Sequence, residues 1–249
     1  MIQPDSHATL ELLSQHHEFM ESLKNIAVFG DCTGDDSAWW ADYKLDPDDP
    51  ETKLKLNINI YNSENVKIRN ANKRSNMRFV KADWSETGAE PDSFELLWAN
   101  NCLQKSTDPL STLRHWWNIL QEDGMLCLCV PQNNYIDDLS RWQMNSYSGE
   151  YFNWNMINLI HCLAVSGFDC RDGHFKQTRH DPYIWAAVYK SSEQPMNPKK
   201  TNWYHLMEKQ LTPHSLDNLI QSKGYVSYDA LKVEWLDHSI YDLGIECLP

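Results

Sequence analysis

Short apolar runs alternate with segments of helical spacing along most of the chain. The strand-like runs are 26–29, 54–61, 77–82, 94–99, 125–131 and 183–189. The helix-like segments between them are 35–43, 63–72, 107–120 and 151–165. Strands that alternate with helices predict a mainly parallel sheet covered on both faces. Ligands of such sheets bind at the carboxyl ends of the strands, so the pattern predicts an α/β fold with one ligand-binding edge.

The two ends of the chain lie outside this alternation. Apolar residues within 1–24 recur at helical spacing behind a polar cap, which predicts an N-terminal helix packed on the main domain. The Ser-, Pro- and Lys-containing stretch 191–201 has the composition of a linker. We therefore expect the main domain to cover 25–191 and an aromatic-rich C-terminal extension to cover 202–249.

Composition and charge narrow the classes of partner. The 249 residues have a formal net charge of −13, a field that repels phosphate backbones and anionic membranes. Nucleic acid and membrane surfaces are therefore disfavoured as partners. No window approaches the length of a membrane span, and the N-terminus has no basic region followed by an apolar run. We expect a cytoplasmic protein, or one of the host cytoplasm if the source is viral.

The cysteines predict neither a disulfide framework nor a metal site. Their number, seven, is odd, and no two have the C-x-x-C spacing of zinc ligands. Most of them lie inside apolar runs. We interpret them as reduced thiols of the core and expect no metal.

The turn after the first predicted strand contains two glycines. Gly30 ends the apolar run, Gly34 follows four residues later, and Asp35 and Asp36 begin the next helical segment. Glycine lets the backbone turn tightly and approach a ligand, and a helix start offers unpaired N–H groups. Two glycines at a strand–helix turn are common, so the turn alone leaves a packing role open.

This turn and the segments after it resemble the class I S-adenosylmethionine-dependent methyltransferases. The chain reads AVFGDCTGDDS over 27–37, where the family reads like LDLGCGTGDDA. The resemblance continues in MRFVKADWSE, in PDSFELLWANNCLQKSTDP, and in GFDCRDGHF followed by YIWAAVYKS, in the family's order over roughly 20–190. It implies a Rossmann-like, mainly parallel seven-stranded sheet with helices on both faces, followed by a small C-terminal appendage.

The resemblance also implies a site for S-adenosylmethionine. The turn residues Gly30, Asp31, Thr33 and Gly34 would lie against the methionine part and the ribose. No universal catalytic residue is implied, because methyl transfer mainly needs an in-line approach to an activated methyl group.

Two further segments are implied to contact the cofactor. Asp83 and Trp84 would lie at the adenine, where a carboxylate accepts from the exocyclic amine and an aromatic face covers the base. Asn100 and Asn101 end the fourth predicted strand beside the zone of methyl transfer. As an alternative, these two residues close the strand by bonding to nearby backbone.

The cofactor motifs depart from the family's pattern at three positions. Val28 stands where an acid is usual, and Cys32 stands where a middle glycine is usual. Tyr61 stands where the acid that ends the second strand normally holds both ribose hydroxyls. Asn62 or Glu64 can take this role only if the end of the strand is shifted.

We weigh hypotheses from three classes. The first is methyl transfer from S-adenosylmethionine to a small-molecule or carbohydrate-like acceptor. The second is a catalytically silent methyltransferase-like module that binds a protein partner or forms an oligomer through 202–249. An open pocket between Gly30, Tyr61, Asp83 and Asn100 favours the first, whereas a pocket filled by side chains favours the second. A nicotinamide-dependent enzyme has less support, because the turn lacks the third glycine of that fingerprint.

Overall fold

A computed structural model describes residues 13, 17–46, 48–63, 69–131, 152, 154–177, 183–214 and 216–217. Its helices are α1 His17–Ser22, α2 Asp35–Ala41, α3 Pro109–Ile119, α4 Met156–Val165 and α5 Trp203–Glu208. Its strands are β1 Asn25–Phe29, β2 Asn57–Asn62, β3 Met77–Lys81, β4 Phe94–Asn100, β5 Leu120–Pro131, β6 Phe168–Gln177 and β7 Tyr183–Lys190. None of the helices in these ranges has the length and apolarity that a bilayer crossing requires.

The strands form one seven-stranded sheet in the order β3-β2-β1-β4-β5-β7-β6. The first five strands pair in parallel, and β7 runs antiparallel to both β5 and β6. The predicted Rossmann-like, mainly parallel seven-stranded sheet is therefore confirmed. The chain moves outward from β1 to β3 and then returns to β4 on the other side of β1. Ligand sites of open α/β sheets lie at such a reversal.

Helices cover both faces of the sheet because the strands are apolar on both sides. In β1, Ile26 and Val28 join a buried cluster with residues of α1 and α2. The alternate residues Ala27 and Phe29 join a second cluster with residues of α3, α4 and α5. Successive side chains of a strand point to opposite faces, so each strand contributes to both clusters.

Two regions differ from the elements that the apolar pattern predicts. Strand β6 is absent from the predicted runs, because Asp169, Arg171 and Asp172 interrupt its apolar residues. It is an edge strand, and its pairing with β7 is irregular near these residues. The predicted helix 63–72 lies partly outside the described residues, and its described end is a 3₁₀ turn, Asn70–Asn72.

The described part of the C-terminal extension contacts β6. The Cys170 amide donates to the Leu211 carbonyl at 3.1 Å. Asp217 is buried, accepts a hydrogen bond from the Thr212 hydroxyl at 2.7 Å, and lies 3.6 Å from Arg171. Burial raises the pKa of Asp217. Residues 218–249 lie outside the described ranges, and the division into domains stays a prediction.

Candidate functional site

A cavity of about 510 Å³ opens at the carboxyl ends of β1, β2, β3 and β4. This volume lies in the range of pockets that hold small ligands and cofactors. Its lining residues are Gly30, Cys32, Asn62, Ser63, Asp83, Trp84, Ser85, Asn101, Cys102, Lys105, Ser106, Thr107 and Asp108. The cavity is therefore at the edge where the strand pattern predicts a ligand.

Gly30 lets the turn after β1 approach the loop after β4. Its φ of +74° is in the left-handed region, and its amide donates to the Tyr61 carbonyl at 3.2 Å. A Cβ atom built on Gly30 would lie only 2.6 Å from the Cβ of Cys102. Both residues line the cavity, so the absence of a side chain at Gly30 sets the shape of this wall.

The carboxylate of Asp31 organises the same turn from inside. Asp31 is buried and accepts hydrogen bonds from the Gly34 amide at 2.8 Å, the Ser37 amide at 2.9 Å and the Ser37 hydroxyl at 2.6 Å. These bonds satisfy N–H groups at the start of α2 that would otherwise face solvent or a ligand. The Asp31 side chain thus binds within the turn and stabilises it.

The outer side of the turn is held by a second carboxylate. Asp35 accepts hydrogen bonds from the Thr33 hydroxyl at 2.5 Å and the Asn72 amide at 2.9 Å. Asn72 also donates to the Thr33 carbonyl at 3.0 Å, and Arg69 lies 3.6 Å from Asp35. The bond from Thr33 is the main cause of the lowered pKa of Asp35. Thr33 therefore stabilises the turn rather than lining the cavity.

The last two residues of β2 point in different directions. The Tyr61 ring stacks on Phe29 with 5.4 Å between ring centroids and meets Phe94 edge-on, and burial raises its pKa. Asn62 lines the cavity, and its amide nitrogen lies 3.4 Å from the sulfur of Cys32. Asn62, rather than Tyr61, therefore presents its side chain to a ligand.

The loop after β3 brings a carboxylate and an indole to the cavity. Asp83 accepts hydrogen bonds from the Ser85 amide at 2.8 Å and the Ser85 hydroxyl at 2.7 Å, and these bonds lower its pKa. Trp84 is 8% exposed, and its carbonyl accepts a hydrogen bond from the Trp116 indole at 3.1 Å. The loop is thus fixed both by its own contacts and by α3.

The end of β4 places Asn101 on the cavity. Asn101 has a φ of +56°, and its side-chain oxygen accepts a hydrogen bond from the Gln104 amide at 3.1 Å. Asn100 is buried one residue earlier, outside the lining. Gln104 is fully buried, and its neutral amide has no basic function at neutral pH.

Comparison with known families decides what this architecture is. Residues 29–128 match the family model described as a methyltransferase domain. Residues 29–128 thus resemble a methyltransferase domain, and they lie in a sheet with the Rossmann-like fold. No curated protein matches the chain in sequence.

Solved structures share the fold of this chain at low sequence identity. Phosphoethanolamine N-methyltransferase 2 of Haemonchus contortus, in complex with S-adenosyl-L-methionine, has a TM-score of 0.57 and 13% identity over 75% of this chain and 53% of that one. A methyltransferase-like protein of Bacillus halodurans has a TM-score of 0.54 and 12% identity, over 72% of this chain and 99% of that one. The 1,6-didemethyltoxoflavin-N1-methyltransferase of Burkholderia thailandensis has a TM-score of 0.53 and 14% identity, over 76% of this chain and 78% of that one. The chain thus spans about half of the Haemonchus enzyme.

The predicted cofactor residues have three different places in the structure. Those that line the cavity are Gly30, Asn62, Asp83 and Trp84. Those that shape the turn or lie behind the wall are Asp31, Thr33, Gly34, Tyr61 and Asn100. Glu64 lies outside the described residues. Sequence reasoning did not single out the lining residues Ser63, Ser85 and 105–108; Ser85 and 105–108 belong to family-like segments, whereas Ser63 has only its position after β2 as a signal.

Proposed function

We propose that the cavity binds S-adenosylmethionine and that the protein transfers its methyl group to a small-molecule or carbohydrate-like acceptor. The observation that carries the proposal is the open cavity of about 510 Å³ at the strand ends of a methyltransferase-like domain. The stacking of Tyr61 on Phe29 removes the one bulky substitution in the motifs from this space. A cavity of this size argues against a catalytically silent module.

The lining residues suit the parts of the cofactor. Asp83 and Trp84 offer a carboxylate acceptor and an aromatic surface to the adenine. Asn62 offers an amide to the ribose hydroxyls, where the family's acid would accept two hydrogen bonds. The backbone at Gly30 allows the methionine part to approach closely. We expect weaker ribose binding than a carboxylate would provide, because an amide has one acceptor oxygen.

When bound, the cofactor supplies an already activated methyl group. The protein's contribution is then to hold donor and acceptor in line and to exclude water. Trp84 and the loop 105–108 line the cavity and would help to exclude water from a bound cofactor. The structurally similar Haemonchus and Burkholderia enzymes are named for small-molecule acceptors, and the net charge of −13 disfavours a nucleic-acid acceptor.

Isothermal titration calorimetry with S-adenosylmethionine and S-adenosylhomocysteine tests the proposal. We expect binding of both ligands to the full-length protein, with circular dichroism as the control that the protein is folded. Folded protein that releases no heat with millimolar ligand would overturn cofactor binding. A light-scattering comparison of the full chain with a chain lacking 202–249 tests the rival hypothesis, in which this extension forms an interface; an unchanged oligomeric state would count against it.

The end of β2 provides a matched pair of variants. We expect Asn62→Ala to weaken S-adenosylhomocysteine binding about fivefold, since one polar contact to the ribose contributes about 1 kcal/mol. Tyr61→Phe should leave the affinity within about twofold, because the Tyr61 ring packs in the core and this change keeps the ring. Calorimetric titration of both variants measures the difference. A larger loss for Tyr61→Phe than for Asn62→Ala would contradict the assignment.

A further inference from the structure

Helix α3 holds the loop 83–87 at two points. The Trp116 indole donates to the Trp84 carbonyl at 3.1 Å. The preceding residue, His115, contacts Thr87. Its Nε2 lies 3.2 Å from the Thr87 amide nitrogen and 2.7 Å from the Thr87 hydroxyl oxygen. Since this loop forms one wall of the cavity, the two contacts from α3 set the position of that wall.

The contacts of Thr87 define the protonation state of His115. The Thr87 amide donates toward Nε2, so this nitrogen must carry its lone pair and the ring proton must be on Nδ1. The Thr87 hydroxyl accepts from the Ala89 amide at 3.2 Å and directs its own proton to Nε2. A protonated ring would still pair with the hydroxyl by donating to it. The amide contact, however, would be lost, because both atoms would then be donors.

We propose that His115 is a positioning residue that fixes the loop 83–87 in its neutral form and loosens this wall of the cavity when it is protonated. The consequence for ligand affinity rests on the proposed function. His115 touches neither cofactor nor acceptor; it acts through the Thr87 backbone, three residues from the cavity-lining Trp84.

Burial favours the neutral form that this geometry requires. It lowers the pKa of His115 from the ordinary 6.5, while the carboxylates of Glu86 and Asp83, the charged groups that act on the ring, offset part of the effect. Asp83 has a lowered pKa and stays ionised near neutral pH. Because the pKa of His115 is lower in the folded state, the contact is fully present above pH 6.5 and is lost as the pH falls through the lowered value.

Titration of S-adenosylhomocysteine between about pH 8 and about pH 5 tests the inference in the full-length protein. We expect the affinity of the natural protein to fall about fivefold toward acid, the effect of losing one hydrogen bond. His115→Gln keeps an acceptor that does not titrate, so its affinity should stay near the high-pH value throughout. His115→Phe keeps a ring but no acceptor, and its affinity should be low at every pH. The inference is overturned if His115→Gln follows the natural protein's pH profile.

A ligand-free measurement separates this inference from the proposed function. The ¹⁵N–¹H resonance of the Thr87 amide should shift with the titration of His115 in the natural protein and stay constant in His115→Gln. If no ligand binds at any pH while this resonance still titrates, the proposed function fails and control of the loop by His115 stands. A Thr87 resonance that is insensitive to pH in the natural protein would overturn control of the loop, whether or not ligand binds.

Discussion

Gly30→Ala is expected to lower the free energy of unfolding by about 3 kcal/mol and to weaken S-adenosylhomocysteine binding more than about tenfold. A residue with a side chain is strained at the φ of +74°, which costs about 1–2 kcal/mol. The added Cβ would also lie 2.6 Å from the Cβ of Cys102 and push apart two walls of the cavity. Urea unfolding and calorimetric titration measure the two effects.

Gly88→Ala is the matched control for backbone strain. Gly88 has a φ of +69°, and its added Cβ meets no atom within 4 Å in the part of the chain that the structure describes. We expect a loss of about 1 kcal/mol and a smaller loss of ligand affinity than for Gly30→Ala, because Gly88 lies beside Thr87 but does not line the cavity. If both variants lost the same stability and affinity, the close approach of Gly30 to Cys102 would have no special role.

Asp31→Ala should produce the second large effect. Removing the buried carboxylate leaves the amides of Gly34 and Ser37 and the Ser37 hydroxyl without their acceptor. Buried donors without partners cost about 1–3 kcal/mol each before water or relaxation compensates, so we expect a net loss of about 3 kcal/mol. Ligand affinity should fall together with stability, because the turn that carries Gly30 loses its shape.

Two further variants separate the role of Asp31 in the turn from direct ligand contact. Ser37→Ala removes only the hydroxyl donor and should cost about 1 kcal/mol. Asp31→Asn keeps one acceptor oxygen and should lie between the two in denaturant unfolding. If Asp31→Ala reduced affinity while leaving the unfolding transition in place, the carboxylate would instead contact the ligand directly.

The strand pattern predicted most of the sheet because its signal is local. Buried parallel strands such as 94–99 and 125–131 are continuous apolar runs, and their extent in the structure differs mainly at the ends. Strand β5 begins earlier, at Leu120, where it pairs with Phe94 across an irregularity. The pattern did not predict the edge strand β6, because charged residues interrupt its apolar sequence. Such residues are tolerated at an edge, where β6 pairs only with β7.

The candidate site was predictable in part. Asp83 and Trp84 follow β3 in a family-like segment, and both line the cavity. Asp31 has the same motif signal but points into the turn, since Gly34 and Ser37 offer three donors to it. The sequence did not predict a role for His115, because its partner Thr87 is distant in sequence and the contact forms only when α3 packs against the loop.

The sequence by itself determined the class of fold, most of the strands and the edge of the sheet at which the cavity lies. These features follow from periodicity and from glycine positions, which act over a few neighbouring residues. Only the tertiary structure decided that Tyr61 belongs to the core and Asn62 to the cavity. The physical reason is the register of β2 on β1, which pairs Phe29 with Tyr61. A shift of one residue would exchange the two sides, and long-range pairing alone sets that register.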